Sequence, residues 1–241
     1  MMYIILSRRK LISCLVAGFL LCAFCVLSYA DTFFESHTLT VIIDAGHGLP
    51  DGGAVGTGGT VEQELNLKIA KKLEDVLIAK NINVIMTRED ETGIWDEDSQ
   101  TIREKKRSDM NNRLKIMKKS DADLFISIHM NSFPAKKTSG LRIFYSKNSP
   151  EIKGLAEHIQ SRMCDITGAG TSVINTADTS LFLMKNPPVP AILVECGFLS
   201  NAEEEKRLKT DDYQARLAWA MADAIEKYYA AQENQLKVDI F

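Results

Sequence analysis

Three short segments of the sequence are almost entirely apolar, and they limit the possible folds more than any other feature. They read TVIID, DLFISIH and AILVEC, and they begin at Thr40, Asp123 and Ala191. Strands that are apolar on both faces are typical of the centre of a parallel sheet that helices cover on both sides. Helical periodicity separates these segments along the chain, and this alternation predicts an α/β fold with a largely parallel central sheet.

The same alternation gives the approximate position of each element. The candidate strands are Leu39–Asp44, Asn83–Thr87, Leu124–His129, Leu141–Tyr145, Leu181–Met184 and Ala191–Cys196. The candidate helices are Val61–Lys80, Thr101–Lys119, Ser149–Thr167, Ala202–Lys209 and Tyr213–Ala230. No internal repeat and no linker rich in Pro, Gly or Ser interrupts this pattern, so we predict a single domain with six strands and with helices on both faces of the sheet.

The first thirty residues have the composition of an export signal. A positive segment at residues 8–10 precedes an uncharged stretch at residues 11–27, and residues 28–30 have the small-x-small pattern that signal peptidase recognises. We therefore predict a signal peptide at residues 1–30, export across the cytoplasmic membrane, and a folded catalytic domain at residues 31–241. A signal anchor is the alternative, because about 17 to 20 apolar residues just suffice to span a bilayer.

Three ionisable residues stand at the ends of the apolar segments or inside them. His47 follows the first segment, His129 ends the second, and Glu195 interrupts the third. In open α/β sheets, ligands bind beyond the carboxyl ends of the strands. We therefore expect these three side chains to face one pocket.

The helix predicted at residues 61–80 adds a carboxylate to this group. At about 100° per residue, Glu62 falls within the apolar stripe that includes Leu65 and Ile69. Glu64 falls on the opposite face of the helix. Glu62 is therefore predicted to point towards the sheet, although it could instead serve only to stabilise the N-terminus of the helix through the helix dipole.

Glu195 requires a chemical explanation, because an ionised carboxylate in an apolar central strand is costly unless a cation lies nearby. A metal ion bound by His47, Glu62 and His129 would supply that cation. Two imidazoles and one carboxylate leave a fourth position open on tetrahedral zinc, as in catalytic rather than structural sites. Glu195 would then act as the general base towards an attacking water. Each histidine also needs an acceptor for its other ring nitrogen, and Asp44 is a candidate for one of them.

Charge and the glycine-rich segment Gly46–Gly59 exclude other ligands. The formal net charge is −3, whereas proteins that bind nucleic acids usually present a basic face. Asp51 stands where G-x-G-x-x-G requires glycine, and no Lys-Ser or Lys-Thr pair follows Gly59 as a P-loop requires. We therefore predict no nucleic-acid or nucleotide partner, and we interpret the glycines as positions where the chain must turn tightly close to the metal and the substrate.

Four segments resemble the signature of a known family. VIIDAGHG, VEQELNLKIA, ADLFISIHMNS and PAILVECGFLSN, in this order, are similar to the motifs of zinc-dependent N-acetylmuramoyl-L-alanine amidases. The resemblance covers about residues 38–230. It implies an α/β fold with a six-stranded sheet, a Zn²⁺ cofactor, and hydrolysis of the amide between N-acetylmuramic acid and the L-alanine of peptidoglycan. The matching positions imply His47, Glu62 and His129 as zinc ligands, Glu195 as the catalytic residue and Asn131 as a residue that lines the substrate groove.

Further segments resemble one subgroup, the germination-specific amidases of spore-forming bacteria. These segments are KRSDMNNR, SIHMNSFP and SGLRIFY. The resemblance implies action on spore-cortex peptidoglycan, where removal of stem peptides allows muramic δ-lactam to form, and a role in sporulation and germination. Strands and a helix fill most of the sequence between His129 and Glu195, so we predict an open pocket without the inserted helix that blocks autoinhibited family members. Because no wall-binding repeat is present, we expect the export segment or a partner protein to locate the enzyme, on the cell-wall or spore-cortex side of the membrane.

Two other functions stay open at the level of sequence. A zinc peptidase or aminoacylase on a similar fold would use the same types of residue. A catalytically inactive wall-binding scaffold would keep the fold without the reaction. The intact set of two histidines and two glutamates favours an enzyme over a scaffold.

Overall fold

The computed structural model describes residues 15–23, 38–169, 172–177 and 181–239. The chain divides into two units, residues 1–38 and residues 39–241. The second unit carries all the candidate site residues.

In the first unit, residues 15–23 form a helix, α1, whose side chains are mostly exposed. The positive segment at residues 8–10 and the expected cleavage site at residues 28–30 lie outside the described residues. No helix within the described ranges combines the length and the apolar character that crossing a membrane requires.

The second unit is built on a six-stranded sheet. Its strands are β1 (Thr40–Ala45), β2 (Asn83–Met86), β3 (Leu124–Asn131), β4 (Leu141–Tyr145), β5 (Ser172–Thr176) and β6 (Ala191–Phe198). They lie in the order β2-β1-β3-β6-β4-β5, and every neighbouring pair is parallel except β4 with β6. The predicted α/β fold with a six-stranded, mostly parallel sheet is confirmed.

Helices cover both faces of this sheet. Their bounds are α2 (Glu62–Ala79), α3 (Ile102–Lys119), α4 (Lys153–Thr167), α5 (Phe182–Lys185), α6 (Ala202–Leu208) and α7 (Asp211–Asp239), with a short 3₁₀ turn at Pro150–Ile152. Successive strand residues point to opposite faces, so Ile126 and Val194 pack with α2, α4 and α7, whereas Phe125 and Leu193 pack with α3 and α5. Both faces are apolar for this reason, as the runs in the sequence indicate.

One strand was predicted in the wrong place. Leu181–Met184 is not a strand, because Phe182–Lys185 forms the single helical turn of α5 and the Met184 N–H donates to the Leu181 carbonyl at 2.9 Å. The missing strand is β5, Ser172–Thr176, which pairs only with β4 at the edge of the sheet. An edge strand can carry polar residues and an exposed side chain such as Val173, so its sequence lacks the apolar signal of a central strand. A run of four apolar residues fits a buried helical turn equally well.

A fully buried arginine, Arg113 of α3, fastens that helix to the end of β1. Its guanidinium donates to the Asp44 carboxylate, to the Asp109 carboxylate at 2.7 Å and to the Ala45 carbonyl at 2.9 Å. The Ser127 hydroxyl also donates to Asp44, at 2.5 Å. Burial alone would raise the pKa of Asp44, but the Arg113 charge and the Ser127 hydroxyl outweigh burial and hold the pKa below its ordinary value.

Replacing Arg113 by methionine should lower the free energy of unfolding by about 3 to 5 kcal/mol, because the Asp44 carboxylate would stay buried without a cation. Chemical denaturation at pH 7 measures this change. Arg216→Met is the matched control, since Arg216 pairs with Asp212 at 2.8 Å on the exposed surface of α7. The control should lose at most about 1 kcal/mol. Equal losses in the two variants would contradict the role given to Arg113.

Candidate metal centre

The turn that carries His47 is held by its backbone oxygens. The carbonyls of Ala45 and Gly46 accept hydrogen bonds from the buried Arg88 side chain at 2.8 and 3.1 Å. The carbonyl of His47 accepts one from Arg113 at 2.5 Å. His47 has a φ of 60°, an uncommon conformation for a residue with a side chain. Two arginines therefore fix three successive peptide groups and orient the imidazole of His47.

Glycines allow this segment to approach the other site residues. A Cβ atom on Gly46 would lie 2.3 Å from the Nε2 atom of His129, and one on Gly53 would lie 2.5 Å from an oxygen of Glu62. Gly53 also has a φ of 70°, which side-chain-bearing residues rarely adopt. The glycine-rich segment thus serves close packing around the site, as the sequence interpretation proposes.

Glu62 is the first residue of α2 and is buried. Its Oε2 atom accepts the Ala54 N–H at 2.7 Å, which leaves Oε1 directed at the two histidines. Oε1 lies 3.0 Å from Nδ1 of His129 and 3.3 Å from Nε2 of His47. Glu64 is half-buried and contributes nothing to this group. The structure therefore separates the two carboxylates in the way that the helical angles predict.

Among the described residues, His47, Glu62 and His129 form a group whose possible ligand atoms all lie within 4.8 Å of one another. The two imidazole rings meet edge to face with centroids 5.0 Å apart. Two imidazoles and a carboxylate are a donor set that suits zinc. This arrangement could hold one divalent ion between three elements that are distant in sequence.

Asp51 supplies the acceptor for the second ring nitrogen of His47. Its carboxylate lies 3.0 Å from Nδ1 of His47, and Lys106 of α3 contacts its other oxygen at 2.8 Å. The prediction that Asp44 could take this role was wrong for His47, because the Asp44 carboxylate is occupied by Arg113 and Ser127. In the sequence, Asp51 stands out only as the residue that departs from the G-x-G-x-x-G pattern. Its spacing of four residues from His47 was the available signal.

Glu195 lies on β6, directly opposite His129 on β3. Its Oε2 atom is buried and has no hydrogen-bond partner among the residues that the structure describes. Burial raises the pKa of Glu195 to about 7, the negative charge of Glu62 adds to this effect, and the charges of His129, His47 and Arg142 oppose it. A buried carboxylate without a partner, with a pKa near neutrality, has the properties of a group that exchanges protons with a ligand.

These side chains border an open cavity of about 560 Å³. Its rim includes Asn131, whose own Oδ1 accepts the Ser132 N–H at 2.8 Å. Its deeper wall is apolar and includes Phe125, Leu193 and the short helix α5. Leu181–Met184, which the sequence predicts as a strand, therefore line the cavity. No helix in the described parts of the chain fills it.

A helix beyond β6 holds the segment that precedes Glu62. Glu205 of α6 accepts hydrogen bonds from the Thr57 hydroxyl at 2.7 Å and from the N–H groups of Gly58 and Thr60 at 2.8 and 3.2 Å. Its neighbour Glu204 accepts the Phe198 N–H of β6 at 2.8 Å. Adjacent glutamates thus tie the glycine-rich segment and the strand of Glu195 to one helix. Neither glutamate belongs to a motif, so the sequence gives no signal for this role.

Comparison with known proteins identifies the family. The family model described as N-acetylmuramoyl-L-alanine amidase matches residues 41–227, a range that includes the whole cluster. The chain belongs to this amidase family. The resemblance found in the four signature segments is thereby confirmed.

Individual relatives agree with the family assignment. The amidase is 34% identical over 194 residues to the germination-specific N-acetylmuramoyl-L-alanine amidase of Bacillus subtilis, covering 78% of this chain and 79% of that protein. It is 36% identical to the CwlD amidase of Clostridioides difficile, solved in complex with the GerS lipoprotein, with a TM-score of 0.77 over 80% of this chain and all of that one. The catalytic domain of CwlV from Paenibacillus polymyxa is 31% identical, with a TM-score of 0.68 over 80% of this chain and 99% of that one. The chain is therefore an amide hydrolase that acts on peptidoglycan.

Metal affinity of the amidase should rise with pH. Hydrogen bonds to Asp51 and Glu62 outweigh burial and raise the pKa of His47 to about 9. At pH 7 the imidazole of the metal-free protein is therefore protonated on both nitrogens. A metal must displace this proton, so each unit of pH below 9 weakens binding about tenfold. Calorimetric titration with Zn²⁺ should show an affinity gain of roughly 100-fold between pH 6 and pH 8. Asp51→Asn should flatten this dependence, and an unchanged slope in that variant would contradict the assignment.

Proposed function

We propose that this amidase uses a zinc ion held by His47, Glu62 and His129, with Glu195 as its catalytic base. The observation that carries the proposal is a buried, unpartnered oxygen of Glu195 beside three ligand atoms that lie within 4.8 Å of one another. A cation at this point would stabilise Glu195 in its ionised form. A metal ion held by this donor set would therefore account for a buried carboxylate oxygen that has no hydrogen-bond partner among the described residues.

Each residue of the site has a defined task in this proposal. When bound, zinc would supply a water of lowered pKa and would polarise the scissile carbonyl. Glu195 accepts the proton of the attacking water and delivers it to the alanine nitrogen as the amide C–N bond breaks. Asp51 holds His47 in the tautomer that presents Nε2, and Ala54 holds Glu62 so that Oε1 faces the histidines.

We also propose that the substrate is spore-cortex peptidoglycan and that the reaction serves muramic δ-lactam formation and germination. Two relatives support this narrower function, the germination-specific amidase of Bacillus subtilis and the CwlD amidase of Clostridioides difficile. The open cavity is consistent with a long glycan-peptide substrate. Asn131 at its rim is proposed to contact that substrate.

Location is a further part of the proposal. The basic and apolar pattern of residues 1–30 supports export by a signal peptide or a signal anchor, with residues 31–241 as the catalytic domain. The structural relative was solved with a lipoprotein, which supports a partner protein that locates or activates this amidase at the cell-wall or cortex side of the membrane.

Digestion of purified peptidoglycan tests the reaction. The zinc-loaded protein should release new alanine amino termini while the glycan chains stay intact. Glu195→Ala should keep its zinc and lose at least about 100-fold in turnover, because the proton transfer is lost. Cuts only between amino acids would indicate the alternative zinc peptidase. Full turnover in Glu195→Ala would contradict the mechanism.

Zinc stoichiometry tests the ligand assignment separately from activity. Glu62→Ala should lower the affinity for zinc by more than about 100-fold. Loss of a residue that only hydrogen-bonds to a metal ligand already lowers metal affinity by about 10- to 100-fold, and loss of a ligand itself should cost more. Glu64→Ala changes the same residue type two positions away and should bind zinc like the wild type. Equal zinc contents in the two variants would exclude Glu62 as a ligand.

A further inference from the structure

Arg142 lies in line with the catalytic group but has no role in the reaction described so far. On β4 it is directly opposite Glu195, which is itself directly opposite His129. Paired residues on neighbouring strands point to the same face of a sheet. His129, Glu195 and Arg142 therefore form one row across three strands, on the face that bears the cavity.

The guanidinium of Arg142 packs against two aromatic rings and has no acidic partner among the described residues. Its central carbon lies 5.2 Å from the ring centroid of Phe133 and 5.6 Å from that of Phe198, and these two rings stack on each other. Within the described ranges, the Arg142 side chain donates no hydrogen bond and forms no ion pair, and the residue is half-buried. Lys106, a cation that lines the cavity, is already paired with Asp51.

An arginine in this state is suited to bind a carboxylate. The guanidinium presents its N–H donors in a planar fork that matches the two oxygens of a carboxylate. The aromatic rings beneath it restrict its position and exclude water from one side, which strengthens an ionic hydrogen bond. Arg142 is not among the residues that line the cavity, but it lies one strand beyond Glu195, which does line it. Its donors have no acceptor among the described residues, so a ligand that extends past Glu195 can meet them.

With the peptide side of the substrate directed towards Arg142, the row sets which residue of the peptide reaches it. The scissile amide must lie between the ligand cluster at His129 and the proton acceptor Glu195. Arg142 is one strand further, at a Cα separation of about 5 Å from Glu195. One residue of extended peptide spans about 3.5 Å, so the residue after the scissile alanine comes next to Arg142. In peptidoglycan that residue is a glutamate linked through its side chain, which leaves its α-carboxylate free.

We propose that Arg142 binds this α-carboxylate and makes the amidase selective for stem peptides in which it is not amidated. The inference rests on the proposed amidase reaction and adds a specificity-determining residue to it. The carboxylate pairs with the guanidinium fork while Glu195 serves the scissile nitrogen. A substrate with a carboxamide at the same position offers no negative charge and only one acceptor oxygen.

Two soluble substrates test the proposal. Both contain N-acetylmuramic acid, L-alanine, a γ-linked D-glutamyl residue and L-lysine, and they differ only in an α-carboxylate or an α-carboxamide on the second residue. The zinc-loaded wild type should cleave the carboxylate form with a kcat/KM roughly 10- to 100-fold higher, mostly through KM, because ionic hydrogen bonds of this kind have about that effect. Arg142→Gln should bring the kcat/KM values of the two forms within about twofold of each other, and any effect of the lost charge on Glu195 itself should change both forms alike. Arg142→Lys, which keeps the charge without the fork, should recover part of the preference.

Arg162→Gln is the matched control, because Arg162 also lies over an aromatic ring, that of Trp219, but on helix α4. This variant should keep the wild-type preference. If Arg142 has only a structural role, Arg142→Gln will lower kcat/KM by the same factor for both substrates. That result, or equal kcat/KM for the two substrates in the wild type, would overturn the inference while leaving the amidase reaction intact. Failure of the wild type to cleave either substrate would instead count against the proposed function.

Discussion

A carboxylate can be buried only where a cation or several hydrogen-bond donors compensate it, and this constraint organises the whole carboxyl-end rim of the sheet. Asp44 is compensated by Arg113, Glu205 by the hydroxyl and N–H groups of a glycine-rich segment, and Glu62 by two imidazoles and the Ala54 N–H. In Glu205 these hydrogen bonds outweigh burial and lower the pKa to about 2. Glu195 is the exception, because its buried Oε2 has no hydrogen-bond partner among the described residues and the nearby positive charges do not outweigh its burial. The reaction is proposed to occur where the compensation is incomplete.

The sequence was sufficient to predict the central strands and the buried face of α2, because burial there requires a regular pattern of apolar residues. Strands apolar on both faces had to be central, and a carboxylate in the apolar stripe of α2 had to face the sheet, so Glu62 was separated correctly from Glu64. Residues 181–184 and 172–176 were misassigned because a short apolar run and an edge strand carry no periodic signal of their own. Length and apolarity do not distinguish a strand of four residues from one helical turn.

The residues that hold the ligand candidates in place were harder to predict than the ligand candidates themselves. Asp44 was predicted as a candidate acceptor for one of the two histidines, but its carboxylate is occupied by Arg113, which lies 69 positions later in the chain. Asp51 and Glu205 act through loops whose conformation depends on glycines and on backbone hydrogen bonds. Such partners are determined by three-dimensional approach, which residue types and spacing alone do not specify.

Glu205 of α6 makes the conformation of the glycine-rich segment depend on a part of the chain that lies far later in sequence. All three ligand candidates lie within the first 129 residues, but the carboxylate that fastens the segment ahead of Glu62 belongs to residue 205. A chain in which β6 and α6 have not yet docked therefore carries every metal-binding side chain but lacks the hydrogen bonds from Thr57, Gly58 and Thr60 to Glu205. The glycine-rich segment reaches its final conformation only when the last strand and the helix behind it are in place.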